Sequence, residues 1–100
     1  MSDIKEITEL LIKFRDERDW AKFHTAKDLA VALNIEAAEL LEAFLWKTSE
    51  QANLEQVKEE LADVIAYALL LAEKYDFDVR QMMVEKIERN AHKYPVAKSK

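Results

Sequence analysis

The sequence predicts an all-α fold, and three of its features support that prediction. The 100 residues include no glycine and one proline, Pro95, so little in the chain breaks a helix or turns a strand. Apolar residues recur at intervals of three and four over long stretches, which is the period of an amphipathic helix. Half of the residues are hydrophobic, enough for one small core. We therefore expect a single domain, residues 1–100, resembling a four-helix bundle.

The first helix is expected from Asp3 to Asp19. Its N-terminus can be capped by Ser2 or Asp3, because short polar side chains accept hydrogen bonds from free backbone N–H groups. The apolar residues at helical spacing are Ile4, Ile7, Leu10, Leu11 and Phe14. The segment from Trp20 to His24 is expected to connect this helix to the next.

The second helix is expected from Thr25 through Trp46 and the third from Leu54 to Tyr75. A short polar break, residues 47–53, separates them. The third helix should be central because its apolar face is wide, consisting of Leu54, Val57, Leu61, Val64, Ile65, Ala68, Leu69 and Ala72.

A turn at residues 76–78 should lead into the last helix, from Val79 to His92, with Asp78 as its N-cap. Pro95 then ends helical structure, and the tail 97–100 is expected to be mobile. Because a chain of this length buries only a thin core, we expect self-association into a homodimer or homotetramer to complete it.

The composition excludes several classes of site. Without glycine the chain cannot form a P-loop or a dinucleotide-binding turn, and without cysteine it has no disulfide, thiolate nucleophile or zinc–thiolate site. A net charge of −5 argues against binding a nucleic-acid polymer. No segment resembles a signal peptide or a membrane span, so a cytoplasmic protein with no membrane partner is expected.

Four carboxylates occur as two copies of one spacing, Glu36 with Glu39 and Glu60 with Asp63. Residues three apart share a helix face, and both pairs adjoin apolar positions, so the acids should border the core. Facing carboxylates in such a place call for a cation, and oxygen ligands suit Mg²⁺ or Mn²⁺. The competing interpretation is a solvated acidic face, since 20 of the 100 residues are acidic.

A stripe of donors on the last helix is formed by Lys86, Asn90 and Lys93, with Tyr94 nearby. Cations at a helix C-terminus can simply complement the helix dipole, which explains Lys93 better than the other two residues. Opposite an acid–metal cluster, such donors would suit phosphate oxygens.

The aromatic residues Trp20, Trp46 and Tyr67 could stack on a planar base, although aromatics at helical spacing are more often core residues. Trp46 is the best placed to wall a pocket, because it precedes a polar loop. His24 is interpreted as a cap or pocket wall rather than a metal ligand.

The reaction class follows from the residues that are present and those that are missing. Since no cysteine or serine–histidine pair lies near the acids, water should be the nucleophile. A metal held by carboxylates can activate water and neutralise a phosphoryl group. Metal-dependent hydrolysis of a phosphoanhydride is therefore expected.

Four ordered segments also carry a family resemblance: residues 14–24, 29–46, 59–67 and 86–95. They resemble the all-α nucleoside triphosphate pyrophosphohydrolases of the MazG type, specifically the small single-domain branch that includes dCTP pyrophosphatases. The chain departs from that pattern at Ile35 and Ala38, where members often have glycine. It also has Ala26-Lys27-Asp28 where proline, arginine and asparagine are frequent, which affects the expected base preference.

The resemblance implies cleavage between the α and β phosphates of a nucleotide to give a monophosphate and pyrophosphate. It implies that Mg²⁺ is bound by Glu36, Glu39, Glu60 and Asp63. It implies phosphate contacts from Lys86, Asn90, Lys93 and Tyr94. It implies base contacts from Trp20, Trp46 and Tyr67. It further implies dimers or dimers of dimers. Deoxynucleoside triphosphates, dCTP first, are the favoured substrates, in a house-cleaning role.

Two other classes compete with this interpretation. One is a non-catalytic helical interaction module, in which the acids form an ordinary charged surface. The other is a carboxylate-bridged di-iron oxidase, which would need Glu-x-x-His motifs that neither His24 nor His92 completes.

Overall fold

The computed structural model describes residues 3–96 and confirms the all-α prediction. Ser2 and the tail 97–100 lie outside the described residues. The described chain contains four α-helices and no strand, with two short 3₁₀ turns at Ala21–Phe23 and Ser49–Gln51. The helices are α1 (Asp3–Glu17), α2 (Ala26–Glu42), α3 (Leu54–Lys74) and α4 (Val79–Lys93).

Side-chain caps start three of these helices. Thr25, Asn53 and Asp78 accept hydrogen bonds from backbone N–H groups three residues further on, at 3.1, 3.1 and 3.0 Å. Each cap satisfies a donor that the first helical turn leaves free. The prediction for Asp78 is confirmed, and Thr25 proves to be the cap of α2 rather than its first residue.

Helix α1 ends at Glu17, two residues before the predicted Asp19, because the backbone turns at residues 18–20. No glycine is present at this turn. Asp19 adopts a left-handed conformation, with φ of 56°. The Trp20 amide then donates to the Arg15 carbonyl at 3.0 Å, and the Asp19 amide donates to the Asp16 carbonyl at 3.1 Å. This is a Schellman motif, which satisfies carbonyls that the helix end would leave free.

The core lies between α2 and α3, which pack along each other as a helical hairpin, and α1 packs against α3. Its buried apolar residues are Leu29, Ala43, Ala52, Leu69, Leu70 and Ala72. The central position predicted for α3 is therefore confirmed, since α3 packs against both α1 and α2.

Helix α4 extends away from the other three helices. Every side chain from Arg80 to Lys93 is exposed, and α4 makes no extensive contact with α1, α2 or α3. The radius of gyration is 16.8 Å, whereas a compact chain of this length has about 13 Å. The four predicted helices thus all form, but α4 does not close the bundle within one chain. None of the described helices is both long and apolar enough to span a membrane.

Candidate functional site

Three of the four predicted acids converge on one point between α2 and α3. Glu36 on α2 and Glu60 and Asp63 on α3 each place one carboxylate oxygen within 4.8 Å of the others. The three-residue spacing puts Glu60 and Asp63 on the same face of α3, and the packing of the hairpin brings Glu36 opposite them. We call these three residues the acid cluster.

The acid cluster contains oxygen atoms that lack a hydrogen-bond partner among residues 3–96. Glu36 Oε2 and Glu60 Oε1 are both buried and accept no hydrogen bond from the described residues, whereas Asp63 is exposed. A buried carboxylate oxygen without a donor is costly unless a cation or a proton satisfies it. Three converging carboxylates and no nitrogen or sulfur donor fit a hard divalent cation such as Mg²⁺.

Electrostatic repulsion acts in the same direction as burial. Burial raises the pKa of Glu36, and the charges of Glu39, Asp63 and Glu60 and a hydrogen bond with Glu39 raise it further. Burial also raises the pKa of Glu60, with contributions from Glu39 and Asp63. In the metal-free protein Glu36 and Glu60 therefore hold their protons more tightly than isolated carboxyl groups do.

Glu39, the fourth predicted acid, lies beside the acid cluster rather than at its centre. Its side chain is half-buried, its charge raises the pKa of Glu36 and Glu60, and it shares a hydrogen bond with Glu36. Its carboxylate does not belong to the convergent group, which consists of Glu36, Glu60 and Asp63.

Tyr67 lies next to the acids, and His24 packs against it. Tyr67 lies one helical turn beyond Asp63, and its pKa is raised by burial and then by the charges of Glu36, Asp63 and Glu39. The His24 ring meets the Tyr67 ring edge to face, with 6.3 Å between centroids. His24 Nδ1 is buried and has no hydrogen-bond partner among the described residues. Tyr67 thus lies beside the acids, and His24 lies against the Tyr67 ring.

The two predicted base-binding tryptophans lie in different settings. Trp20 packs edge to face on Phe14 at 5.6 Å, at the start of the turn that leads to His24. Trp46 is 99% exposed and has a left-handed backbone, with φ of 63°. For a bulky residue that conformation is strained, and here no packing within residues 3–96 compensates for it.

The predicted phosphate-binding residues lie on the extended helix α4 and its end. Lys86, Asn90, Lys93 and Tyr94 are all exposed, and Lys93 Nζ lies 5.4 Å from the centroid of the Tyr94 ring. Because α4 does not pack on α2 or α3, one chain alone does not bring this stripe against the acid cluster.

Arg15 was not among the predicted site residues, but its side chain is only 10% exposed. Its guanidinium donates to Glu73 Oε1 at 3.3 Å and to Asp16 Oδ1 at 3.1 Å. The helical spacing offered a signal, because Arg15 lies four residues after Leu11 and three after Ile12 on the half-buried face of α1.

Removing one acid should stabilise the metal-free protein in a pH-dependent manner. Since the folded-state pKa of Glu60 is raised above its ordinary value of 4.5, the folded protein loses stability as the pH rises through that range. We expect Glu60→Gln to raise the melting temperature in chelator at neutral pH, and to raise it much less near pH 4.5. Thermal unfolding at both pH values, with exposed Glu55→Gln as the control, measures this. An equal effect at both pH values would contradict it.

The chain is similar to one protein family and to relatives that share one name. The model of the MazG-like family matches residues 31–100. Mouse dCTP pyrophosphatase 1 (Mus musculus) is 34% identical over 101 residues, covering 93% of this chain and 59% of that protein. The human protein of the same name (Homo sapiens) is 33% identical over 100 residues, covering 92% of this chain and 59% of that protein. The chain thus spans about three fifths of the length of these relatives.

A solved structure of a pyrophosphatase from Archaeoglobus fulgidus matches over nearly the whole fold. It superposes with a TM-score of 0.87 at 38% sequence identity, covering 96% of this chain and 95% of that chain. The similarity therefore includes α1 and the turn before α2, which precede the segment matched by the family model.

Proposed function

The chain belongs to the MazG-like family, and from that premise we propose that it is a metal-dependent nucleoside triphosphate pyrophosphohydrolase. The observation that carries this proposal is the acid cluster of Glu36, Glu60 and Asp63, with two buried oxygens that lack partners. Relatives named dCTP pyrophosphatase and a similar structure named a pyrophosphatase support the reaction class.

In this proposal Glu36, Glu60 and Asp63 hold Mg²⁺, or Mn²⁺ in its place, and Glu39 completes or orients the ligand set. When bound, the metal supplies charge neutralisation for the phosphates and a lowered pKa for a coordinated water. The protein confines the two buried oxygens of Glu36 and Glu60 to a site where they gain a partner only from a cation or a proton.

The chain's own residues favour water as the nucleophile. No serine, threonine or cysteine lies on α2 or α3, so neither an aliphatic hydroxyl nor a thiol on these helices can serve as the nucleophile beside the acids. The Tyr67 hydroxyl is disfavoured as a nucleophile because its pKa is raised. The products would be a nucleoside monophosphate and pyrophosphate.

We propose deoxynucleoside triphosphates as substrates, dCTP first, in a house-cleaning role in the cytoplasm. A nucleoside triphosphate carries about −4 and the chain −5, so long-range attraction cannot provide the affinity. It must come from the bridging cation, the donors on α4 and stacking on rings such as Trp20, Trp46 and Tyr67. The exposed and strained Trp46 is available for such stacking.

Assembly belongs to the same proposal. The exposed apolar side chains of α1 and α4 include Ile4, Ile7, Leu10, Phe14, Met82, Met83, Val84 and Ile87. A second copy of the chain is the partner that matches both of these faces, since each copy exposes them. We propose a homodimer or a dimer of dimers, in which α4 of one copy brings its donors to the acid cluster of another.

A product analysis tests the reaction class. We expect that incubating the chain with Mg²⁺ and a panel of nucleoside triphosphates will yield monophosphate and pyrophosphate, fastest with dCTP. Release of single orthophosphates, or no product from any nucleotide, would overturn the proposed reaction and favour the helical interaction module. Equal rates with ribonucleotides would overturn only the deoxy preference.

A further inference from the structure

Arg15 is the one buried charged residue among residues 3–96, and both of its polar contacts hold it in place. Its Nη1 donates to Glu73 Oε1 at 3.3 Å, which joins α1 to α3 across 58 positions of sequence, and its Nε donates to Asp16 Oδ1 at 3.1 Å. Because burying a guanidinium is costly without partners, this geometry is a strong constraint on how α1 sits on α3.

The ion pair joins the ends of the two helices at their closing turns. The Arg15 carbonyl accepts the Trp20 amide at 3.0 Å in the turn that ends α1. The Glu73 carbonyl accepts the Asp76 amide at 3.0 Å in the equivalent turn of α3, where Asp76 has a φ of 59°. A shift of one helix end against the other would therefore displace both turns.

The first of these turns leads directly into the candidate site. Trp20 starts the 3₁₀ turn, the His24 amide donates to the Ala21 carbonyl at 3.0 Å, and the His24 ring then meets Tyr67. Backbone hydrogen bonds thus follow one another along the chain from the buried ion pair at Arg15 to His24, whose ring packs on Tyr67.

Building on the nucleotide hydrolase proposed above, we propose that Arg15 is a positioning residue of the nucleotide site. Clamped by Glu73, its side chain fixes the 20–24 turn against α3, so that His24 and Tyr67 form a rigid wall for the nucleotide. Arg15 itself contacts neither metal nor phosphate in this assignment.

The charges around His24 agree with this geometry. The groups that face it are Arg15 from α1, Lys74 and Tyr67 from α3, and Asp28 from α2. Burial lowers the pKa of His24, Arg15 and Lys74 lower it further, and Asp28 opposes them. The imidazole is therefore neutral at physiological pH, with its buried Nδ1 free to donate or accept one hydrogen bond.

The two partners of the ion pair should act on His24 in opposite directions. Arg15→Met removes a nearby positive charge, so the pKa of His24 should rise toward its ordinary value of 6.5. Glu73→Gln keeps the guanidinium but removes its counter-charge, so the pKa of His24 should fall. Titration of the imidazole by NMR measures both shifts, with His92→Gln used to assign the second histidine.

Kinetics with the same variants test the positioning role. We expect Arg15→Met to raise KM for dCTP by about tenfold, as for other residues that orient a site without touching the ligand, and to change kcat little. Arg15→Lys should restore part of the loss, and Mg²⁺ affinity should stay at the wild-type level. The double variant Arg15→Met with Glu73→Met removes both charges. It should be more stable than Glu73→Gln, which leaves the buried guanidinium without this carboxylate, while KM stays high.

The outcomes separate the possible roles of Arg15. Shifts of the His24 pKa in the same direction in both variants, or a KM that recovers together with stability in the double variant, would overturn the positioning role and leave a structural one. If Arg15→Met does not fold, Glu73→Gln and the double variant decide. If the wild-type chain hydrolyses no nucleotide, the proposed function fails, while the two NMR shifts still test the placement of His24.

Discussion

Replacing Glu36 by glutamine, or Asp63 by asparagine, should abolish nucleotide hydrolysis and leave the fold intact. Either amide keeps the shape of the side chain but removes one of three converging negative charges. Because even outer partners of metal ligands are typically worth about 10–100-fold, we expect losses of more than about a hundredfold in kcat/KM. Steady-state rates with dCTP and Mg²⁺ measure this effect.

Metal binding gives a second measurement that does not depend on catalysis. A ligand that binds only the folded state stabilises it, so Mg²⁺ should raise the melting temperature of the wild-type chain and have little effect on the Glu36→Gln variant. The exposed Glu55→Gln on α3 is the control for loss of an acidic charge. Wild-type rates in both acid variants, or activity that survives thorough chelation, would refute the metal site.

Mixing two inactive variants should restore activity if α4 serves the site of a neighbouring copy. One variant carries Glu36→Gln, and the other carries Lys86→Ala with Asn90→Ala. In a mixed dimer, one site combines intact acids from the second variant with an intact α4 from the first. Random pairing makes half of the dimers mixed, so about a quarter of the wild-type activity should return on co-refolding.

The same mixture distinguishes the two ways in which α4 could act. If each α4 folded back on its own acids, every site in a mixed dimer would carry one lesion and no activity would return. Light scattering should show an assembly larger than the 11.7 kDa chain. A monomer at micromolar concentration would contradict the assembly, and with it this route to a complete site.

Much of the candidate site could be predicted from sequence because its spacing is local. Glu60 and Asp63 are three residues apart, so any helix through them presents both on one face. Glu36 could then be predicted to lie opposite these two residues if the second and third helices pack as a hairpin. The roles of these acids in binding a metal remain predictions.

The sequence by itself determined the helices of this protein. The helices follow from their apolar periodicity, from the cap at Asp78 and from the absence of glycine. These features act between residues within one or two helical turns of each other. Interactions of that range are enough to set the type of helix and its approximate length.

Helix α1 ended two residues before the predicted Asp19, which took a left-handed conformation. Helix α2 ended at Glu42 rather than at the predicted Trp46, because its backbone tightened into turns with bonds between residues three apart, such as Phe44 N–H to the Leu41 carbonyl.

Only the tertiary structure decided where α4 lies and what Arg15 does. The stripe from Lys86 to Lys93 is evident in the sequence, but whether it faces its own acids depends on the direction in which the chain leaves α3 at Asp76. From the sequence, Arg15 resembles any other surface cation. In the structure its guanidinium donates to Glu73, which is 58 residues away along the chain. Such contacts depend on helix packing, which short-range sequence patterns do not specify.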